Sequence, residues 1–195
     1  MKHINILAAI MLLLISGQRV CAQTENGFKE IDVANNFGDN PFTFFTRPLL
    51  LMAGDSLQNN AMTIGWGAVG TLWGRDRNTM TVYVAEKRYT HSLMEKTKYF
   101  TVMMLDSHPE VLEYMGTHSG RGGDKTKALG LHVAYTKNGA PYYEEADAVY
   151  ECELMYGAPF DPKGFRNSVP KDFYAHFGAG FHSMYIGEAT GAWSK

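Results

Sequence analysis

The sequence predicts a mainly β fold: a barrel of strands with short helices inserted between them. Three observations carry that reading. Short β-branched or aromatic runs, "RPLLLMAG" at 47–54, "MTIGWGAV" at 62–69 and "TMTVYVA" at 79–85, recur between clusters of Gly, Asp and Asn, as strands and turns do. The helix-like segments are few and short. No glycine-rich phosphate loop follows a strand and opens a helix, which excludes a βαβ nucleotide fold.

The elements follow in chain order. Residues 1–22 read as a secretory signal: Lys2 and His3, an unbroken apolar run from Ile6 to Ile15, and small or short residues, Val20 and Ala22, before the cleavage point. Ten apolar residues are too few to cross a hydrocarbon core of about 30 Å. Gln18 and Val20 depart from the lipid-attachment pattern around Cys21. The expected location is therefore exported, periplasmic, with the domain proper spanning 23–195. Removing the signal leaves 16 of the 18 basic residues against 20 acidic ones, a formal charge of −4. That balance argues against a nucleic-acid or anionic-membrane partner. Cys152 then stands alone, so no intrachain disulfide forms and the core must hold the fold by itself.

Gln23–Asn40 is polar and reads as an extended lead-in. Asn60–Gly70, "NAMTIGWGAVG", reads as a buried strand that nonetheless carries Gly65, Gly67 and Gly70. Glycine inside a strand marks a bulge or a place where something approaches the backbone closely. "YTHSLMEKTK" is a short helix with Thr90 as N-cap. "YFTVMML" at 99–105 is another buried strand. "SHPEVLEYMG" is a helix with Pro109 in its first turn and Gly116 at its stop, and "DKTKALG" gives a further helical turn ended by glycine. Asn138-Gly139 marks a hairpin, "AVYECELMYGA" a strand, Pro159–Gly180 an irregular excursion, and "HSMYIGEATGAW" the last strand.

Two loops are equipped for an anion. "GTHSGRGGDK" at 116–125 offers free backbone N–H groups, two hydroxyls, the Arg121 fork and Lys125. "KRYT" at 87–90 places Arg88 and Thr90 where a strand ends and a helix begins. Each alone is also compatible with an ordinary surface turn. His118, His132, His176 and His182 show no metal-site spacing, so no metal centre is expected. Ser119 lacks the strand–elbow–helix setting of a hydrolase nucleophile, and the adjacent Glu144 and Glu145 make a poor catalytic pair.

Taken together, these segments resemble the flavin reductase-like family, whose fold is the FMN-binding split β-barrel. The resemblance rests on "NPF" at 40–42, "LLLMAG", "NAMTIGWG", "VYVAEKRYTHSLMEK" from Val82, "YFTVMML", "GTHSGRGGDK", "PYYEEA", "YEC" and "HSMYIGEA" from His182, in that order. It implies that FMN lies along the 62–67 strand, with Gly65 and Gly67 leaving room for the ring and Thr63 and Trp66 bordering it. It further implies that Arg88, Tyr89 and Thr90 line the ribityl-phosphate side. Ser119, Arg121 and Lys125 are implied as phosphate ligands, and His182 as the catalytic residue near which a nicotinamide stacks. Gly122 departs from the pattern, standing where an acidic residue commonly follows the Arg.

The activity the resemblance implies is an FMN-dependent oxidoreductase, commonly a homodimer, passing electrons from NAD(P)H or another donor to an acceptor. Reduced nicotinamide is scarce outside the cytoplasm, so an exported member is expected to take its electrons from a protein or quinone-linked donor, or to accept a reduced small molecule. The alternative is a non-enzymatic flavin-binding or carrier module outside the cytoplasm.

Overall fold

The computed structural model describes residues 26–32 and 41–195. The signal segment, most of the polar lead-in and Asn40 of the "NPF" motif lie outside the described residues. The strands are β1 (Lys29–Glu30), β2 (Leu49–Gly54), β3 (Asn59–Ile64), β4 (Gly67–Thr71), β5 (Asn78–Ala85), β6 (Tyr99–Met104), β7 (Val133–Tyr135), β8 (Pro141–Tyr143), β9 (Ala148–Pro159) and β10 (His182–Ser194). Among the described residues, four short α-helices interrupt them: α1 (Tyr89–Met94), α2 (Pro109–Thr117), α3 (Lys125–Leu129) and α4 (Ser168–His176).

One antiparallel sheet runs β3-β2-β6-β9-β10-β5-β4, with β1 added on β10, and β7 and β8 form a separate hairpin. The mainly β reading with short inserted helices therefore holds, and the sheet is a split barrel: its outermost strands, β3 and β4, do not pair. β2 shows how the sheet is packed. Leu49 to Ala53 are all fully buried because side chains alternate across a strand and both faces are covered. Leu49, Leu51 and Ala53 join the interior with Val82, Phe100 and Tyr150. Leu50 and Met52 face the opposite way, under Val111, Leu112 and Met115 of α2. Phe28, 1% exposed, ties the lead-in to this second cluster.

Several local expectations are corrected. The stretch Asn60–Gly70 is not one strand: it divides at Gly65-Trp66 into β3 and β4, which lie at opposite ends of the sheet order. The N-cap of α1 is Arg88, not Thr90; the Thr90 hydroxyl turns inward and accepts from Asn60 Nδ2 at 2.8 Å. Gly116 does not stop α2, which runs on through Thr117. Gly116 packs instead against Thr63, whose Cβ would lie 3.3 Å from an added side-chain carbon. The 159–180 excursion is not wholly irregular: Asn167 caps α4 by accepting the Val169 N–H at 3.1 Å. The C-terminal end of α3 and the hairpin follow the sequence reading, with Gly130 left-handed at φ 66° and Gly139 at φ 84°, and Asp124 caps the helix's start.

Candidate functional site

The break in the sheet leaves a groove along β3, bounded by the start of α1, the end of α2 and the beginning of β10. One end is basic. Here the 87–89 turn and the 118–124 loop meet: Arg121 donates from Nη1 to the Lys87 carbonyl at 2.9 Å, and its guanidinium lies 5.4 Å from the Tyr89 ring centroid. The Ser119 hydroxyl accepts the Arg121 N–H at 3.2 Å, holding the loop's turn. Gly120 sits where a side chain would strike Asn60 Oδ1 at 2.2 Å and the Tyr89 ring at 2.6 Å. Only glycine lets this loop dock so closely.

Lys125 closes this end from below. It is 6% exposed, and its Nζ donates to the carbonyls of Ala61 at 2.7 Å and Met115 at 3.3 Å. Burial, and secondarily the Arg88 charge, push the ammonium down to about 8. Among the described residues, no carboxylate forms an ion pair with Lys125, Arg88 or Arg121. A buried ammonium without an anion of its own, close enough to feel the charge of the exposed Arg88, forms a prepared anion site. The cavity there is about 250 Å³, lined by Asn60, Thr63, Arg88, Thr90, Ser119 and Lys125 among others. The Thr63 hydroxyl is committed to the Leu112 carbonyl at 2.5 Å. That of Thr90 accepts from Asn60, leaving its own proton to point elsewhere.

The other end is aromatic. A cavity of about 180 Å³ shares Met62, Thr63 and Arg88 with the first, so the two form one groove with Arg88 at its waist. Gly65, Trp66, Tyr83, Phe177 and His182 line this end. A side chain at Gly65 would meet nothing within 4 Å, so the groove is open there. Gly67 is different. An added Cβ would lie 2.3 Å from the Phe45 ring and 2.6 Å from the Thr81 carbonyl. Its missing side chain makes room for the core and not for a ligand, which corrects its place among the site residues.

His182 is 8% exposed, its Nδ1 2.9 Å from the Tyr174 hydroxyl. Its ring stacks on Phe177 at 5.1 Å and leans on Trp66 at 5.2 Å. Burial, then the Arg88 charge, hold the imidazole below its ordinary value, so it is neutral at neutral pH. Burial raises the Tyr174 hydroxyl, which keeps its proton.

The fold thus gathers Thr63, Gly65, Trp66, Arg88, Tyr89, Thr90, Ser119, Lys125 and His182 around one groove, with Arg121 bracing it from outside and Gly67 apart. Sequence reasoning missed Asn60, which tethers Thr90, the α4 aromatics Phe173 and Tyr174, and Phe177 just beyond the helix. Six aromatic residues between 160 and 181 were the available signal. His132 and Glu145 pair at 2.8 Å on the surface, and no cluster of three metal-ligating side chains occurs among the described residues.

The comparisons with known proteins agree with this architecture. The model of the "Flavin reductase like domain" matches residues 42–195, which include every groove residue named above. Among solved structures, flavoredoxin from Methanosarcina acetivorans superposes with a TM-score of 0.59 at 21% identity, over 76% of this chain and 68% of that one. The FMN-binding protein from Thermus thermophilus gives 0.57 at 23%, over 75% and 69%. The FMN-binding domain of a flavin reductase-like enzyme from Shewanella baltica gives 0.61 at 16%, over 88% and 78%. A search of curated proteins returns no match. With its matched domain covering most of its length and its strands arranged as a split barrel, this chain belongs to the flavin reductase-like family.

Proposed function

We propose that the groove binds FMN and that the protein is an FMN-dependent oxidoreductase moving electrons from NAD(P)H or another donor to an acceptor. The observation that carries this is the buried Lys125 ammonium, grouped with Arg88 and Arg121 and lacking any carboxylate partner among the described residues. A phosphate supplies the missing charge, and the open wall at Gly65 accommodates a flat ring at the far end.

When bound, FMN supplies the two-electron redox chemistry that protein side chains lack. The residues do the rest. Lys125, Arg88 and the Ser119–Arg121 turn hold the phosphate end, and Asn60 orients the Thr90 hydroxyl toward the same cavity. Trp66 and Phe177 flank the ring end and exclude water there. His182, neutral and anchored through Nδ1 to the Tyr174 hydroxyl, stands beside the ring end as a group that can exchange a proton with a reactant. The N-terminal segment supports export, and under export a protein or quinone-linked partner fits better than soluble nicotinamide.

Equilibrium dialysis against FMN, FAD and riboflavin tests the reading. FMN is expected to bind at least tenfold more tightly than riboflavin, which lacks only the phosphate. Equal affinities overturn the phosphate assignment. Turnover of the loaded protein with NADH or alternative donors then separates an oxidoreductase from a carrier.

A further inference from the structure

A second, larger hollow lies on the outer side of Trp66. It measures about 650 Å³, within the usual range for small-molecule sites, and is walled by Trp66, Phe160, Phe165, Val169, Phe173 and Tyr174. Its one charged wall residue is Asp161, whose carboxylate is already committed to the Lys163 N–H at 2.9 Å. No Lys, Arg or His lines it. Trp66 belongs to both this chamber and the flavin groove, and Phe173 leans on Trp66 at 5.3 Å, so the indole is a shared partition. The side chains that build the chamber are unusually exposed for their type: Trp66 51%, Phe173 37% and Val169 73%.

We propose that this chamber is the second reactant's site and that its occupant is a neutral, planar, apolar two-electron carrier of the quinone class. The charge pattern decides against a nicotinamide dinucleotide, whose diphosphate would enter apolar walls with no cation to receive it. Stacked aromatic faces favour a flat ring, and the volume takes a bicyclic one. The choice of a quinone over other neutral rings rests on the redox reading above. The chamber's preference for a neutral ring does not.

Calorimetric titration with 1,4-naphthoquinone, its 2-sulfonate and NADH tests this on the FMN-loaded protein. The neutral quinone is expected to bind saturably, at least tenfold more tightly than the sulfonate, and NADH is not expected to displace it. Val169→Asp, a change at an exposed position, is expected to weaken naphthoquinone at least tenfold, while Val169→Thr stays within about threefold. Equal binding of the sulfonate, displacement by NADH, or an unchanged Val169→Asp protein overturns the proposal. FMN affinity measured on the same samples reports on the groove alone. A protein that binds naphthoquinone but not FMN defeats the flavin reading and keeps the chamber, and the reverse defeats the chamber.

Discussion

At the basic end of the groove Lys125, Gly120 and Thr90 are tied to the buried sheet, whereas the aromatic end is roofed by α4, a helix in which no side chain is fully buried. Lys125 is held by two backbone carbonyls of β3 and α2, Gly120 is pressed against Asn60 and Tyr89, and Thr90 is tethered to Asn60. α4 rests instead on ring contacts of Phe173, Tyr174 and Phe177 and on one hydrogen bond to His182. The difference teaches a division of labour. Fixed charge is useful only if preorganised, because moving desolvated cations into place is expensive. A site that must admit and release a reactant is built on the less stable part of the fold.

The comparison makes predictions of decreasing size. The double variant Arg88→Ala, Lys125→Ala should weaken FMN by about 100-fold or more in dialysis, since both cations line the cavity and each charge-assisted bond is worth roughly tenfold at its low end. Retained affinity would mean that the phosphate lies elsewhere. Gly67→Ala should cost about 1–3 kcal/mol in urea unfolding, because the Thr81 carbonyl cannot withdraw from an added Cβ. Gly65→Ala, facing open space, should stay within about 0.5 kcal/mol, and equal losses would remove the distinction between the two glycines.

A pH profile probes Lys125. Its ammonium titrates near 8 in the folded chain against an ordinary value of 10.5. FMN affinity should therefore fall as pH rises through 8. The ligand-free fold should gain stability between about 8 and 10.5, where the unfolded chain still binds the proton that the folded one has released. Both slopes should vanish in Lys125→Met. Tyr174→Phe should cost about 0.5–1.5 kcal/mol of stability, read most directly as faster amide exchange in α4 with β2 and β3 unchanged. Exchange in α4 as slow as in β2 would contradict the contrast between the two ends.

Much of this was legible in the sequence, but unevenly. The apolar run Leu49–Ala53 announced a strand, and Gly130 and Gly139 stood where left-handed backbone requires them. "NAMTIGWGAVG" misled because apolar runs report burial and not continuity. Gly65 and Gly67 look alike in sequence, yet one faces open space and the other faces Phe45, a neighbour 22 positions away in the chain. Thr90 looked like a cap because the chain order hides Asn60, its partner 30 residues earlier. The excursion's turn residues masked α4, although its aromatic density was in plain view.

By itself, then, the sequence determined the strand-rich class, the two anion-ready turns and the family pattern, because those depend on local propensity and on residues close together in the chain. The tertiary structure alone decided which glycine lines the groove, that Lys125 is buried without a counter-charge among the described residues, and that α4 brings an aromatic chamber against Trp66. Those facts depend on distances between elements far apart in the chain, and on the water each contact removes, which no local pattern encodes.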